Sequence, residues 1–377
     1  MTELIRKIKT LIYSLPLFLF SLPIYAHYAI YIDAGSSGSR LYLYQYENTK
    51  PLATINTVFS KKVTPGLSSF QNSPEKANIS MKELLDSVTG LLKNINLQAI
   101  PVNILSTGGM RLLTIENQTK IYTSLKNFIK KNYPFTIGEI KTISGEKEGL
   151  FGWLAVNYLT ETLQKGQPTF GSIDMGNAST QITFVIEDPN TKKNNPFADL
   201  KINKKDFHIV SKSFLGLGLR EARKTIASCY PKNYTINEKL AGDFNFKNCS
   251  DLYLQFIDSY KISTELHFPK KMQFIAYSGI YGPLHFFSTE SNPEKHTIED
   301  AIQTICDTPW HEFMKTYSQK NTTYLPYYCS DATYISNLLF EGYQLSGQQL
   351  LVTKEIKGNK VAWTLGALLY NLVSDTQ

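Results

Sequence analysis

The sequence predicts an α/β fold made of two similar domains, on three observations. The first is a repeated pattern, Tyr31-Ile32-Asp33-Ala34-Gly35-Ser36-Ser37-Gly38-Ser39-Arg40 and Ile173-Asp174-Met175-Gly176-Asn177-Ala178-Ser179-Thr180-Gln181. In each copy an apolar strand ends in Asp, a Gly/Ser turn follows, and a second apolar run begins (Leu41-Tyr42-Leu43-Tyr44 and Ile182-Thr183-Phe184-Val185). Both therefore read as β-hairpins whose tips can wrap backbone N–H groups around phosphate oxygens. The second observation is spacing: Asp33 and Asp174 stand 141 residues apart, as expected of two domains rather than a local duplication. The third is that strand and helix periodicities alternate after the hairpins, the signature of an α/β unit. One such hairpin alone would be an ordinary turn, but two in register predict facing tips able to clamp a polyphosphate.

Taken in order, residues 29–33, 41–46 and 57–63 read as antiparallel strands, and residues 74–95 as a helix with Met81, Leu84, Leu85, Val88, Leu91 and Leu92 on its apolar face. Residues 101–106 form a buried strand that runs into Thr107-Gly108-Gly109-Met110-Arg111. A helix over 118–131, ended by Asn132 and Pro134, precedes a short strand at 140–143. Residues 145–163 read as a long helix bridging the halves, with Leu150, Trp153, Leu154 and Tyr158 on one face. The second half restarts with a hairpin over 171–186. A polar excursion at 188–203 reads as a loop or hairpin extension, followed by a strand at 208–214 and a helix at 220–228 opened by Gly216-Leu217-Gly218. Residues 230–249 read as a surface insertion. Helices at 252–263, 297–304 and 332–341 and a strand at 273–276 complete this half, and periodicity alone does not place the closing helix at 363–372.

Composition restricts the function classes. The 377 residues are 42% apolar and 19% charged, ordinary for a globular protein. Residues 1–26 differ: Arg6, Lys7 and Lys9 precede an apolar stretch over 11–25, and Ala26 follows as a small cleavage residue. This reads as a secretory signal peptide rather than an anchor, because the run is short and holds Pro16 and Pro23. The mature chain is then expected to be secreted or periplasmic, without a membrane span, and monomeric. The formal net charge of +7 suits an anionic small ligand, but the paired lysines are scattered and form no stripe for nucleic acid. Cys229, Cys249, Cys306 and Cys329 lack zinc spacing, and an even number in an exported chain predicts disulfides. Of three possible pairings, Cys229 with Cys249 and Cys306 with Cys329 are preferred, since each closes a modest loop.

Five segments carry a specific resemblance: Asp33 to Arg40 (DAGSSGSR), Ser106 to Arg111 (STGGMR), Ser144 to Trp153 (SGEKEGLFGW), Asp174 to Gln181 (DMGNASTQ) and Tyr277 to Tyr281 (YSGIY). In this order they resemble the five apyrase-conserved regions of the ecto-nucleoside triphosphate diphosphohydrolases. The cysteines, Ser213-Phe214-Leu215-Gly216 and Trp363-Thr364-Leu365-Gly366 extend the resemblance over nearly the whole mature chain, most closely to secreted bacterial members. It implies two ribonuclease H-like domains of the actin, hexokinase and heat-shock ATPase superfamily, with the active site in the cleft between them. The corresponding division is residues 27–155 plus 358–377 for the first domain and 156–357 for the second.

The resemblance also implies roles. Hydrolysis of a terminal phosphate needs a base to orient water, a metal to neutralise oxygens, and donors aimed at the moving charge. Glu148 aligns with the family's catalytic glutamate, whereas Glu146 reads as a first-turn acid at a helix N-terminus. Asp33 and Asp174 are implied to hold a divalent metal through its waters, and Mg2+ or Ca2+ suits such oxygen ligands. Ser36, Ser37, Gly38, Ser39 and Arg40 in the first tip, with Gly176, Asn177 and Ala178 in the second, are expected to cradle phosphate. Thr107, Ser179 and Gln181 match positions that bind phosphate or fix the attacking water; Gln181 can donate and accept at once. Asn177 departs from the more usual glycine and tolerates the left-handed backbone that such a turn can need. Tyr334 and Tyr343 fall where relatives build the base pocket, although the chain has 23 tyrosines to choose from.

The expectation is thus a metal-dependent apyrase acting on nucleoside tri- and diphosphates. Its rivals are an exopolyphosphatase of the same superfamily, which would take long inorganic chains and ignore nucleoside diphosphate, and a non-catalytic nucleotide-binding module.

Overall fold

The computed structural model describes residues 26–187, 196–229, 244–264, 266–269, 271–288, 290–317 and 323–374. The proposed signal segment falls on residues outside these, apart from Ala26. The first domain opens with β1 (His27–Ala34), β2 (Ser39–Glu47) and β3 (Thr54–Val63) as an antiparallel meander. Helix α1 (Ala77–Thr89), strand β4 (Pro101–Ser106), the short α2 (Gly108–Arg111), α3 (Ile115–Asn132) and strand β5 (Thr136–Thr142) follow. Strands β4 and β5 run parallel to β1, giving the sheet order β3-β2-β1-β4-β5. The expected helix over 74–95 is shorter as a true α-helix, with single 3-10 turns at Pro74–Lys76 and Gly90–Leu92. Glycine at position 90, a poor helix former, marks the change.

Helix α4 (Gly145–Leu159) crosses to the second domain and is followed by α5 (Thr162–Lys165). There β6 (Gly171–Met175) and β7 (Ser179–Ile186) make the second hairpin, and β8 (Ala198–Ile202) pairs antiparallel with β9 (Lys205–Leu215). The described part of the 188–203 excursion is therefore a hairpin extension. Next come α6 (Leu219–Thr225), α7 (Phe246–Asp258), β10 (Gln273–Ser278), α8 (Tyr281–Phe287), α9 (Lys295–Cys306), α10 (Trp310–Tyr317) and α11 (Tyr328–Asn337). Strand β11 (Gln349–Val352), a small hairpin of β12 (Glu355–Ile356) and β13 (Asn359–Lys360), and α12 (Trp363–Ser374) close the chain. The second sheet has the order β11-β10-β6-β7-β9-β8. Without β8, it repeats the first strand for strand, including the parallel partners on one side of each hairpin and the antiparallel partner on the other.

Both sheets are buried on two faces, which explains the nearly continuous apolar runs of β1 and β2. Ile30, Ile32, Leu41 and Leu43 pack under α1 and α3 through Met81, Leu84, Leu85, Ile121 and Leu125. The alternate side chains Tyr31, Tyr42 and Tyr44 face Trp153 and Leu154 of α4 and Trp363, Leu365 and Leu368 of α12. That cluster also takes in Ile202, Phe207 and Ile209 of β8 and β9, so it joins the halves. The closing helix, unplaced by its periodicity, is held there on one side by the Thr364 hydroxyl, hydrogen-bonded to Tyr44 at 2.8 Å. In the second domain Ile173, Ile182 and Phe184 pack beneath Tyr253 and Ile257 of α7 and Ile335 of α11.

The disulfides pair as expected. Cys229 joins Cys249 with Cα atoms 5.8 Å apart, and Cys306 joins Cys329 at 6.0 Å. Cys249 stands on α7 rather than in an irregular insertion, so the first bridge ties the segment after α6 to a helix; residues 230–243 lie outside the described residues.

Candidate active site

The two hairpins end at the same point in the same way. In the first, Asp33 lies opposite Arg40 and Ala34 opposite Ser39; in the second, Asp174 lies opposite Gln181 and Met175 opposite Thr180. The cross-strand partner stands seven positions after Asp in both. The tips line a cleft of about 520 Å³ together with Thr107, Gly108, Glu148, Ser278, Tyr324, Lys354, Lys360 and Trp363.

Each tip is seated on backbone with no room for a side chain behind it. A Cβ on Gly109 would lie 2.6 Å from Ser36 Cα, so the Ser106 to Arg111 motif needs glycine there to let α2 reach the first tip. A Cβ on Gly218 would lie 2.3 Å from the Asn177 carbonyl carbon, and the amides of Leu219 and Arg220 donate to the Gly176 and Asn177 carbonyls, both at 3.0 Å. Asn177 is not among the described residues with positive φ, so the turn does not call on the left-handed backbone foreseen for it.

Three carboxylates face one another across the cleft. Burial pushes Asp33, Asp174 and Glu148 each up to about 7, against ordinary values near 4. Glu148 adds to the rise at Asp33, Asp174 to that at Glu148, and Asp33 to that at Asp174, so the three repel as a cluster. Opposing the rise, Asp33 has Arg40 and Lys62 nearby and a hydrogen bond with Trp363, and Asp174 has hydrogen bonds with Ser278 and the Met175 backbone. Glu148 is in the first turn of α4, which Ser144 caps by accepting from the Lys147 amide at 3.1 Å. Glu146 shares that turn but does not line the cleft.

Arg111 organises the centre. Its Nη2 donates to Glu148 Oε2 at 2.8 Å and to Ser179 Oγ at 2.9 Å, and Nη1 donates to the Ile143 carbonyl at 3.3 Å. Gln181 Nε2 donates to Ser179 Oγ at 2.9 Å and to Ser213 Oγ at 3.0 Å. The sequence reading gives Arg111 no role. Its one signal is a basic residue between Met110 and Leu112 at the end of a Gly-Gly turn; its importance comes from α2 closing onto α4, which no local pattern contains.

Of the expected residues, Asp33, Ser36, Ser37, Gly38, Arg40, Thr107, Glu148, Asp174, Gly176, Asn177, Ala178 and Ser179 all line the cleft. Gln181 lies beneath it, buried, and reaches it through Ser179. Ser39 does not line it; its hydroxyl is buried in the sheet without a hydrogen-bond partner, and β2 has already begun there, turning that side chain inward. The expectation for Tyr334 and Tyr343 is corrected. Both are core residues: Tyr334 donates to the Leu217 carbonyl at 2.7 Å and Tyr343 to Thr180 Oγ1 at 3.0 Å, leaving no ring face for a base. Among the described residues, the aromatic side chain that lines the cleft from the second domain is Tyr324, about half exposed.

Comparison with known proteins agrees with this geometry. The sequence pattern of the GDA1/CD39 (nucleoside phosphatase) family matches residues 22–253 and 262–377. Ectonucleoside triphosphate diphosphohydrolase 5 of Gallus gallus is 29% identical over 390 residues, covering 92% of this chain and 88% of the relative. Among solved structures, nucleoside triphosphate hydrolases from Neospora caninum superpose with a TM-score of 0.67 at 14% identity, covering 93% of both chains. A Ppx/GppA family member from Aquifex aeolicus gives 0.57 at 13% identity, covering 94% of this chain and all of that one. These two likenesses are of fold, an α/β arrangement of two sheet-plus-helix domains. Taken with the family match along almost its whole length, the paired hairpins and the carboxylates between them make this chain a hydrolase of the GDA1/CD39 (nucleoside phosphatase) family.

Proposed function

We propose that the chain is an exported, divalent-metal-dependent apyrase that removes the terminal phosphate of nucleoside tri- and diphosphates, with Glu148 as general base. The observation that carries this reading is the placement of Glu148, buried and pushed up to about 7, across the cleft from two aspartates at the ends of equivalent hairpins. A base with a pKa near the working pH combines a useful ionised fraction with real proton affinity.

Asp33 and Asp174 suit a hard divalent cation. Both are buried carboxylates in mutual repulsion, a donor set that a cation would relieve. Among the described residues no three acidic, histidine or cysteine side chains stand close enough to hold an ion on their own, so an ion at the two aspartates would complete its coordination with water or phosphate oxygens. Bound there, the ion would neutralise charge on the phosphate oxygens. The chain's own groups do the rest. The amides of residues 36–38, 177 and 178 hold the phosphates between the tips, with the hydroxyls of Thr107 and Ser179 beside them; the Gly176 amide instead closes its own turn by donating to the Ser179 carbonyl at 2.9 Å. Arg111 fixes the Glu148 carboxylate and the Ser179 hydroxyl in one geometry, and Gln181 holds Ser179 from behind. Glu148 takes a proton from the attacking water as the water oxygen bonds to phosphorus and the bridging P–O bond breaks in line. The leaving oxygen departs with its electron pair on the shortened nucleotide. Tyr324, rather than the two buried tyrosines, is the aromatic surface offered to a base.

Export is supported by the two disulfides and the charged-then-apolar N-terminus. A second reading, hydrolysis of inorganic polyphosphate, is favoured by the cations that line the cleft, Arg40, Lys62, Lys354 and Lys360. Phosphate release from ATP, ADP, AMP and polyphosphate, each with Mg2+ or Ca2+ and with EDTA, tests both. The apyrase reading expects EDTA-sensitive release from ATP and ADP and none from AMP; release from polyphosphate alone would overturn it.

A further inference from the structure

Arg220 stands on α6, which belongs to the second tip, yet its guanidinium reaches the first. The start of α6 is locked to the Gly176–Asn177 turn by three hydrogen bonds, from the amides of Leu219, Arg220 and Glu221 to the tip carbonyls at 3.0 to 3.2 Å, and by the close seat of Gly218 on Asn177. From that rigid base Nη1 of Arg220 crosses to the other domain and donates to the Ser36 carbonyl at 3.2 Å, while Nε faces Glu221 Oε1 at 3.4 Å. Ser36 and Ser37 line the cleft and Arg220 does not, so the bond approaches the first tip from outside the reacting space. A trans peptide is planar, with its C=O and N–H pointing in opposite directions. Holding the Ser36 carbonyl toward Arg220 therefore aims the Ser37 N–H the other way, into the cleft.

We propose that Arg220 is a positioning residue that makes the phosphate cradle of the first tip depend on the second tip being in place. Resting on the reading of the cleft as a phosphohydrolase site, the assignment is specific: Arg220 touches no substrate, and acts by orienting the Ser37 amide whenever the domains are closed. Gly66 and Gly109 seat Ser36 from within the first domain; loss of the Arg220 bond leaves the Ser36–Ser37 peptide with that seat alone and loosens the aim of the Ser37 donor on the transferring phosphate. A preorganised donor of this kind favours the transition state over the ground state, so its loss lowers kcat more than it raises KM.

The test compares Arg220→Ala and Arg220→Lys with the wild-type chain in ATP and ADP turnover. It adds an interdomain distance measured by spin labels at Ser69→Cys and Lys224→Cys, both exposed and on opposite sides of the strap. Removal of a full oxyanion donor costs roughly 100- to 1000-fold in kcat, and misorientation of one retained in the chain is expected to cost about tenfold or more in Arg220→Ala. KM should stay within about threefold, Arg220→Lys should recover part of the loss through its ammonium group, and the label distance should lengthen or broaden in Arg220→Ala. A kcat within twofold of wild type, a loss confined to KM, or an unchanged distance distribution in a variant that melts at the wild-type temperature would overturn the assignment. If the wild-type chain itself turned over no nucleotide, the reading of the site would fail on its own, and the distance measurement would still decide whether Arg220 straps the domains.

Discussion

The two hairpins share a plan and differ in what stands opposite the aspartate. Asp33 faces Arg40, a cation on the cleft wall; Asp174 faces Gln181, a buried amide that grips Ser179 and Ser213. The supports differ too. The first tip leans on backbone of its own domain, with Gly66 and Gly109 pressed against Ser36, whereas the second is hung from the start of α6. The two hairpins thus hold carboxylates in equivalent places, and their neighbours differ: one is flanked by a cation on the cleft wall, the other by fixed polar groups. The difference teaches that symmetry here governs the backbone and the paired aspartates, while the proposed division of labour follows the residues that broke it.

That comparison can be broken at the shared position first. Asp33→Asn and Asp174→Asn should each lower kcat on the order of 100-fold or more, since loss of a metal's charge stabilisation is worth several kcal/mol, and each should raise the metal concentration needed for half activity. Equivalence predicts similar losses in the two variants, measured by metal titration of phosphate release; a large loss in only one would show the hairpins to be unequal in this too.

Arg111 sharpens it next, because this one side chain joins the base to the second hairpin. In Arg111→Met the Glu148 carboxyl loses the group that opposes its upward shift. A base must be ionised to act, so the acid limb of the kcat–pH profile should move to higher pH, together with a drop of roughly tenfold or more at neutral pH. Below this effect comes the contrast at the diverged position. Arg40→Gln is expected to raise KM by about tenfold through loss of a charge-assisted contact, whereas Gln181→Ala should lower kcat with little change in KM. The reverse pattern would invert the division of labour between the tips.

A stability measurement compares the halves without turnover. The three carboxylates are pushed from ordinary values near 4 up to about 7, so the folded protein binds more protons than the unfolded chain between those limits. Their contribution to stability is present below pH 4 and is lost as the pH rises through 7. Mg2+ or Ca2+ should accordingly raise the thermal midpoint more at pH 8 than at pH 5.5, and Asp33→Asn or Asp174→Asn should shrink that difference. The smallest effect belongs to Asn177→Gly, expected to leave turnover within about twofold, because the turn makes no use of a positive φ and the change costs only chain entropy.

What was legible in the sequence was what short stretches of backbone decide. The hairpins, their Asp residues and the helix start carrying Glu148 follow from apolar runs, Gly/Ser turns and the helical period that begins at residue 145, and they appear where expected. Arg111 and Arg220 were not legible, because their partners lie in other elements brought close only by packing. Tyr334 and Tyr343 were misjudged for a related reason. A tyrosine on a helical segment reads the same whether its ring faces solvent or core, and α11 turns Tyr334 inward against Tyr253 and Phe256, with ring centroids 5.3 and 6.3 Å away. Ser39 shows the limit of motif matching within a single turn: one step into the strand, alternation carries its hydroxyl away from the cleft.

The central claim, that Glu148 activates the water attacking a nucleotide held between the two tips, is tested most directly by Glu148→Gln in single-turnover hydrolysis of ATP with Mg2+, alongside its affinity for the same nucleotide. The account predicts a rate lower by roughly 100- to 10,000-fold with binding retained, since the amide keeps the shape of the side chain but cannot accept the proton. A rate within a few-fold of wild type would contradict it.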